Sequence, residues 1–161
     1  MSTDSGRLRS VAEVIPGLRE GSGTAGAELG IQRIVSVPLG APLLVDGTTY
    51  KGAAFVAPCA GCYIKELWLS AAVAIAGGTN TLAIDNYDAS ANSARNVLST
   101  TNVDPTGVTA KEGTKLTLST TKSNLYMDEG DVLNYTLTCG TMTTDGEGYV
   151  LTAIIVVPEI A

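Results

Sequence analysis

The chain has 161 residues, a formal net charge of −6 and no His, with 45% hydrophobic and 16% charged residues. That apolar content excludes a wholly disordered chain, and the length suits one domain able to bury roughly 70% of the surface its unfolded form exposes. A pI near 4.5 argues against a nucleic-acid binder, which needs a basic face to neutralise phosphates, and the missing His removes the commonest general base and metal ligand.

Charge is unevenly placed along the chain. Residues 1–40 hold four basic residues (Arg7, Arg9, Arg19, Arg33) and four acidic ones (Asp4, Glu13, Glu20, Glu28), so the remainder carries the whole negative charge. The N-terminus lacks the apolar run of a secretory signal, and no stretch is long and apolar enough to span a membrane. Three cysteines are an odd count that does not suggest a disulfide framework, so the expectation is assembly in a reducing cytosol. Leu8, Val11, Ala12, Val14 and Ile15 form a short amphipathic stretch that stops at Pro16-Gly17. Glu20-Gly-Ser-Gly-Thr-Ala-Gly-Ala follows with the composition of a flexible linker. Residues 1–30 therefore read as an extended arm, and 31–161 as the folded domain.

From Ile31 onward the apolar period is two, the signature of strands. Strands are expected at Ile31–Val37, Ala53–Ala57 and from Tyr63-Ile64, with Leu67–Ile75 alternating Leu67, Leu69, Ala71, Val73 and Ile75 on one face. Asn80–Asp85 turns Leu82 and Ile84 inward, a weak strand falls near Asn96–Ser99, and Lys115–Ser119 turns Leu116 and Leu118 inward. Leu133, Tyr135, Leu137 and Cys139 share a face, while Tyr149–Val157 is apolar on both faces and belongs in the middle of a sheet. About eight short strands at this spacing predict an all-β antiparallel sandwich of the jelly-roll kind, with no three-turn helix after residue 30.

Candidate chemistry is sparse. Cys59-Ala-Gly-Cys62 has redox or zinc spacing, but structural zinc needs four ligands and only Cys139 remains. The pair reads as small buried residues at a strand entry. Asp85 with Asp88, Glu129 with Asp131 and Asp145 with Glu147 could suggest glycoside hydrolysis or calcium, yet each lies at a turn, where Asp bonds its own backbone. Gly77-Gly78, Gly146 and Gly148 match no phosphate-binding loop and read as hairpin turns. Without His no Ser-His-Asp triad exists, so neither catalytic residues nor a cofactor or metal are expected. Tyr63 and the single Trp68 read as packed or interface aromatics.

The rhythm Phe55-Val-Ala-Pro58, Gly61-Cys-Tyr-Ile64, Leu67, Leu125, Glu129-Gly-Asp131 and Ala153-Ile-Ile-Val-Val157 resembles the small jelly-roll head decoration (cement) proteins of tailed bacteriophages, over about residues 31–160. The resemblance implies a non-enzymatic virion protein on the outer capsid surface. Its partners would be the major capsid protein and its own copies, as a homotrimer. In that reading Leu8, Val11, Ile15, Leu18, Leu29, Ile31 and Ile34 contact partners, with Leu39 a further anchor and strand Ile31–Val37 added to a partner's sheet edge. Tyr63 and Trp68 would serve the oligomer contact. The rival reading is a carbohydrate- or receptor-binding jelly roll of a tail or fibre, favoured by an exposed Trp68 or Tyr87 near an Asp-lined calcium site.

Overall fold

The computed structural model describes residues 30–158. Nine strands run in chain order: β1 (Ile31–Pro38), β2 (Thr49–Val56), β3 (Cys62–Ser70), β4 (Thr81–Asp88), β5 (Ser93–Asn96), β6 (Thr114–Leu116), β7 (Tyr126–Met127), β8 (Val132–Thr138) and β9 (Val150–Val157). Two 3₁₀ turns, Pro105–Gly107 and Lys122–Asn124, are the only helical pieces among the described residues. The expected arm and its anchors Leu8, Val11, Ile15, Leu18 and Leu29 lie outside the described residues.

The strands form two sheets, β1-β9-β3-β6 with β7 also on β3, and β2-β8-β4-β5. Every pairing is antiparallel: β1 with β9, β2 with β8, β3 with β6 and β7, and β4 with β5. That is one long hairpin bent over on itself, closed by β3 against β9 and β4 against β8. This connectivity is the jelly roll, and the sequence expectation of that class holds.

Alternation explains the core. Leu133 and Leu137 on β8, Leu82 and Ile84 on β4, and Leu151 and Ile155 on β9 are fully buried, while their strand neighbours face outward. Burial of each such side chain contributes about 1.5–3 kcal/mol. Strand β9 lies between β1 and β3, as its two apolar faces require. A register shift between Ile64 and Glu66 makes Lys65 an extra residue in β3. The phase change lets Cys62 and Ile64 face the core before it and Leu67 and Leu69 after it.

The nine-residue strand expected at Leu67–Ile75 ends instead at Ser70. Beyond it the amides of Ala72 and Val73 donate to the Glu147 carbonyl at 2.9 and 3.2 Å, which turns the chain across the sandwich end. Ala71 and Ile75 stay buried, but Val73 is only half-buried. The weak strand expected near Asn96–Ser99 falls earlier, at β5. Val97 then donates to Ile84 at 3.0 Å and Ser99 to Thr117 at 2.9 Å, so this stretch ties the two sheets at one edge. Leu39 is 1% exposed within the core, so it is no anchor for a partner. Strand β1 pairs along all eight residues with β9, so a partner strand has only its other edge to join.

Glycine geometry differs at two of the turn positions. Gly78 has φ +73°, and a side chain there would meet the Thr141 carbonyl oxygen. Gly146 has no positive φ but faces Ile75 and Tyr149 at 2.6 and 2.7 Å from where a Cβ would sit, so it serves close packing rather than turn conformation.

Candidate interaction surface

Outward-facing residues of β1, β9 and β3 make a continuous patch. The register sets Ile34 beside Ile154 and Ile154 beside Glu66, and Ser36 beside Thr152 and Thr152 beside Trp68; Gln32 and Tyr63 flank Val156, which is itself buried at 3% exposed. Ile34 is 72% exposed, the most exposed large apolar side chain of the described residues, and Ile31 at the start of the same strand is 50% exposed. Thus the two expected partner-binding residues that lie within the described chain are both displayed.

Tyr63 and Trp68 share this face because the Lys65 bulge resets the alternation between them. They do not touch the same neighbours. The Trp68 indole N–H donates to Glu66 Oε2 at 2.9 Å, and Lys115 Nζ pairs with Glu66 Oε1 at 2.9 Å while lying 5.5 Å from the indole centroid. Lys115 and the indole N–H together hold the Glu66 carboxyl below its ordinary range. Tyr63 packs on Tyr126 with centroids 4.9 Å apart and a 50° tilt. The half-buried Trp68 is therefore clamped by an ion pair rather than presented as a bare platform. Glu66, Lys115, Tyr126 and Ile154 were not singled out from the sequence. The signal available was the apolar outer face of β9.

The paired carboxylates separate. Asp88 is buried, salt-bridged to Arg95, and its Oδ1 accepts from Ser90 Oγ and the Ala91 amide, each at 2.8 Å. Asp131, 1% exposed, accepts from the Ala89 amide at 3.1 Å and the Asp128 amide at 2.9 Å, so it joins the turn after β4 to the turn before β8. Glu129, Asp145 and Glu147 are exposed. Tyr87 donates its hydroxyl to Asn92. Among the described residues no group of three His, Cys, Asp or Glu side chains is placed to hold a metal ion.

Open depressions lined by described residues include two of note. One, about 430 Å³, lies on the outer face of β2-β8-β4 and is lined by Lys51, Ala53, Asp85, Asn134 and Thr136. Burial pushes the Asp85 carboxyl up. The other, about 340 Å³, lies along β6 and holds Asp104. Each contains a single carboxylate, whereas two facing carboxylates are needed for glycoside hydrolysis.

Cys59 and Cys62 have their sulfurs 4.0 Å apart, and Cys62 Sγ donates to the Cys59 carbonyl at 3.3 Å. Burial, reinforced by Cys59, pushes the Cys62 thiol up to about 11, the opposite of a reactive thiolate. Cys139 follows β8 at the end where its amide donates to Thr48, while Gly61 bonds Met127 beside the other end of that strand. The three thiols thus do not converge, and the pair occupies a strand entry as its sequence position suggests.

A scan of protein-family models and a search of characterised proteins find no match. Among solved structures, the cyanophage Pam1 capsid asymmetric unit is similar at 15% identity and a TM-score of 0.45, covering 96% of this chain and 97% of that one.

Proposed function

We propose that this chain is a structural protein of a viral particle that decorates the outer capsid and stabilises it by bridging neighbouring major capsid subunits. The carrying observation is the apolar edge strand β1. Its Ile31 and Ile34 are exposed where the uncharged-on-balance N-terminal segment joins an acidic jelly roll. Jelly rolls are a recurrent architecture of capsid proteins, and the residue rhythm noted above resembles that of phage cement proteins. The acidic body suits an outward position, away from packaged nucleic acid.

In this reading Leu8, Val11, Ile15, Leu18 and Leu29, with Ile31 and Ile34 on the sandwich, contact neighbouring capsid or decoration subunits. Tyr63 and Trp68 belong to a homotrimer contact on the same sheet face. Each buried Leu, Val or Ile contributes about 1.5–3 kcal/mol before ordering costs are subtracted. One subunit bridging several capsid copies gains further by avidity.

The test is sedimentation with shells of the major capsid protein that lack this chain. Full-length protein co-sediments with the shells. The variant carrying Leu8→Ser, Val11→Ser, Ile15→Ser and Leu18→Ser loses at least about tenfold in affinity, since one tenfold step needs only about 1.4 kcal/mol. Equal binding of that variant removes the anchor role, and failure of the unaltered protein to sediment removes the capsid reading.

A further inference from the structure

The outer edge of β1 pairs with no other strand among the described residues. Natural edge strands are protected by shortness, bulges, Lys or Pro. Strand β1 is eight residues long, unbroken in its register with β9, and carries one charge, Arg33, and a Pro only at its last position. With Ile34 72% exposed, it has the features of a strand that receives another strand.

Backbone parity specifies what that strand must offer. Pro38 pairs with Val150, and the next residue, Leu39, donates its amide to Tyr149 at 2.8 Å. Hydrogen-bonded pairs alternate in an antiparallel ladder, so Val37, Val35, Arg33 and Ile31 bond towards β9. Gln32, Ile34 and Ser36 then present their N–H and C=O groups outward. Pro38 falls on the outward set, where its lack of an N–H costs the sheet nothing and ends the available edge.

We propose that the occupant of this edge is β1 of a second copy of the chain, antiparallel and centred on Ile34. The strand is self-complementary about that residue. A two-fold axis through it sets Ile34 against the partner copy's Ile34, Gln32 against Ser36, Ile31 against Val37 and Arg33 against Val35. The outward groups of three residues per copy exchange about six hydrogen bonds. Across the joined sheets the outer face then carries a row of Ile154, Ile34 and their two counterparts. Sliding the register two residues one way puts Arg33 opposite its own copy, a like-charge pair. Sliding it two residues the other way sets Ile34 against Ser36 and forfeits the apolar match. The other parity turns each outward-bonding group towards a residue already bonded to β9.

One strand pair of this length buries much less than the roughly 1,200 Å² of a stable interface. The contact is accordingly weak in solution and gains its strength when copies are already held close on a surface. The proposal specifies a partner for β1 within the capsid reading, but its test needs only the purified chain, so its failure is separate from a failure to bind shells.

Three full-length variants are oxidised at high micromolar concentration: Ile34→Cys, Gln32→Cys and Ser36→Cys, with the unaltered protein as control for Cys59. Directly opposed residues of a hydrogen-bonded pair sit about 5.5 Å apart, within disulfide reach. Ile34→Cys forms a covalent dimer at least about tenfold faster than Gln32→Cys or Ser36→Cys alone, while a mixture of those two cross-links. Amide exchange of Gln32, Ile34 and Ser36 in the unaltered chain slows as concentration rises. Absence of the Ile34→Cys dimer overturns the proposal. So does equal cross-linking of all three variants, or protection of these amides that does not change with concentration, which would mean the chain covers its own edge.

Discussion

Replacing Asp131 with Ala tests whether the Glu129-Gly-Asp131 segment is a structural device. Its carboxylate is 1% exposed and accepts two backbone amides, from Ala89 and Asp128. A hydrogen bond to a charged group contributes about 1.5–3 kcal/mol. Both amides belong to exposed residues, so water reaches them once the carboxylate is gone and the lower figure applies to each. The expected loss is about 3 kcal/mol, a large share of the 5–15 kcal/mol that holds a typical domain together. With a urea slope of about 1.5 kcal/mol/M, the unfolding midpoint falls by about 2 M. The readout is the fluorescence of Trp68, the single tryptophan, which lies on β3 in the other sheet from β4 and β8 and so reports global unfolding. Asp131→Asn keeps one carbonyl oxygen and loses about half as much. A loss below about 0.5 kcal/mol for Asp131→Ala, the range of ordinary surface substitutions, refutes the reasoning.

The remaining predictions concern buried hydroxyl and thiol groups. Tyr149, 1% exposed, accepts the Ile75 amide at 2.9 Å and donates to the Pro105 carbonyl at 3.0 Å. Tyr149→Phe leaves both without their partner and costs about 1–3 kcal/mol in urea unfolding; a neutral result refutes it. Cys62 keeps its proton up to about 11 in the folded chain against 9.0 for a free thiol, because of burial first and the Cys59 contact second. The unfolded chain therefore releases that proton first, and the stability Cys62 contributes is full below pH 9 and is lost as pH rises towards 11. Cys139 and Tyr149 are raised by burial too and act in the same direction. Thermal midpoints measured from pH 8 to 11 fall, and Cys62→Ala makes the fall shallower. Iodoacetamide at pH 8 labels half-buried Cys59 well before Cys62, and equal labelling rates would contradict the burial argument.

The class of fold was legible in the sequence because strand alternation is local: Leu82 with Ile84, or Leu133 with Tyr135 and Leu137, declare an inner face without reference to any other strand. The central place of β9 was legible for the same reason, since a strand apolar on both faces has to be covered on both. What the chain alone did not show arises from residues far apart in sequence. Asp131 finds its partner 42 positions away, and Trp68 meets a lysine brought in by β6. The Lys65 bulge, which places Tyr63 and Trp68 on one face, exists only as a mismatch between β3 and β9. Leu39 was read as an anchor because it follows an apparently separate arm; pairing of β1 with β9 carries it into the core instead. Side-chain period is a property of a single strand, whereas register, bulges and free edges are properties of pairs. That is why the sequence alone determined the all-β class, while only the tertiary structure decided which strands end the two sheets among the described residues.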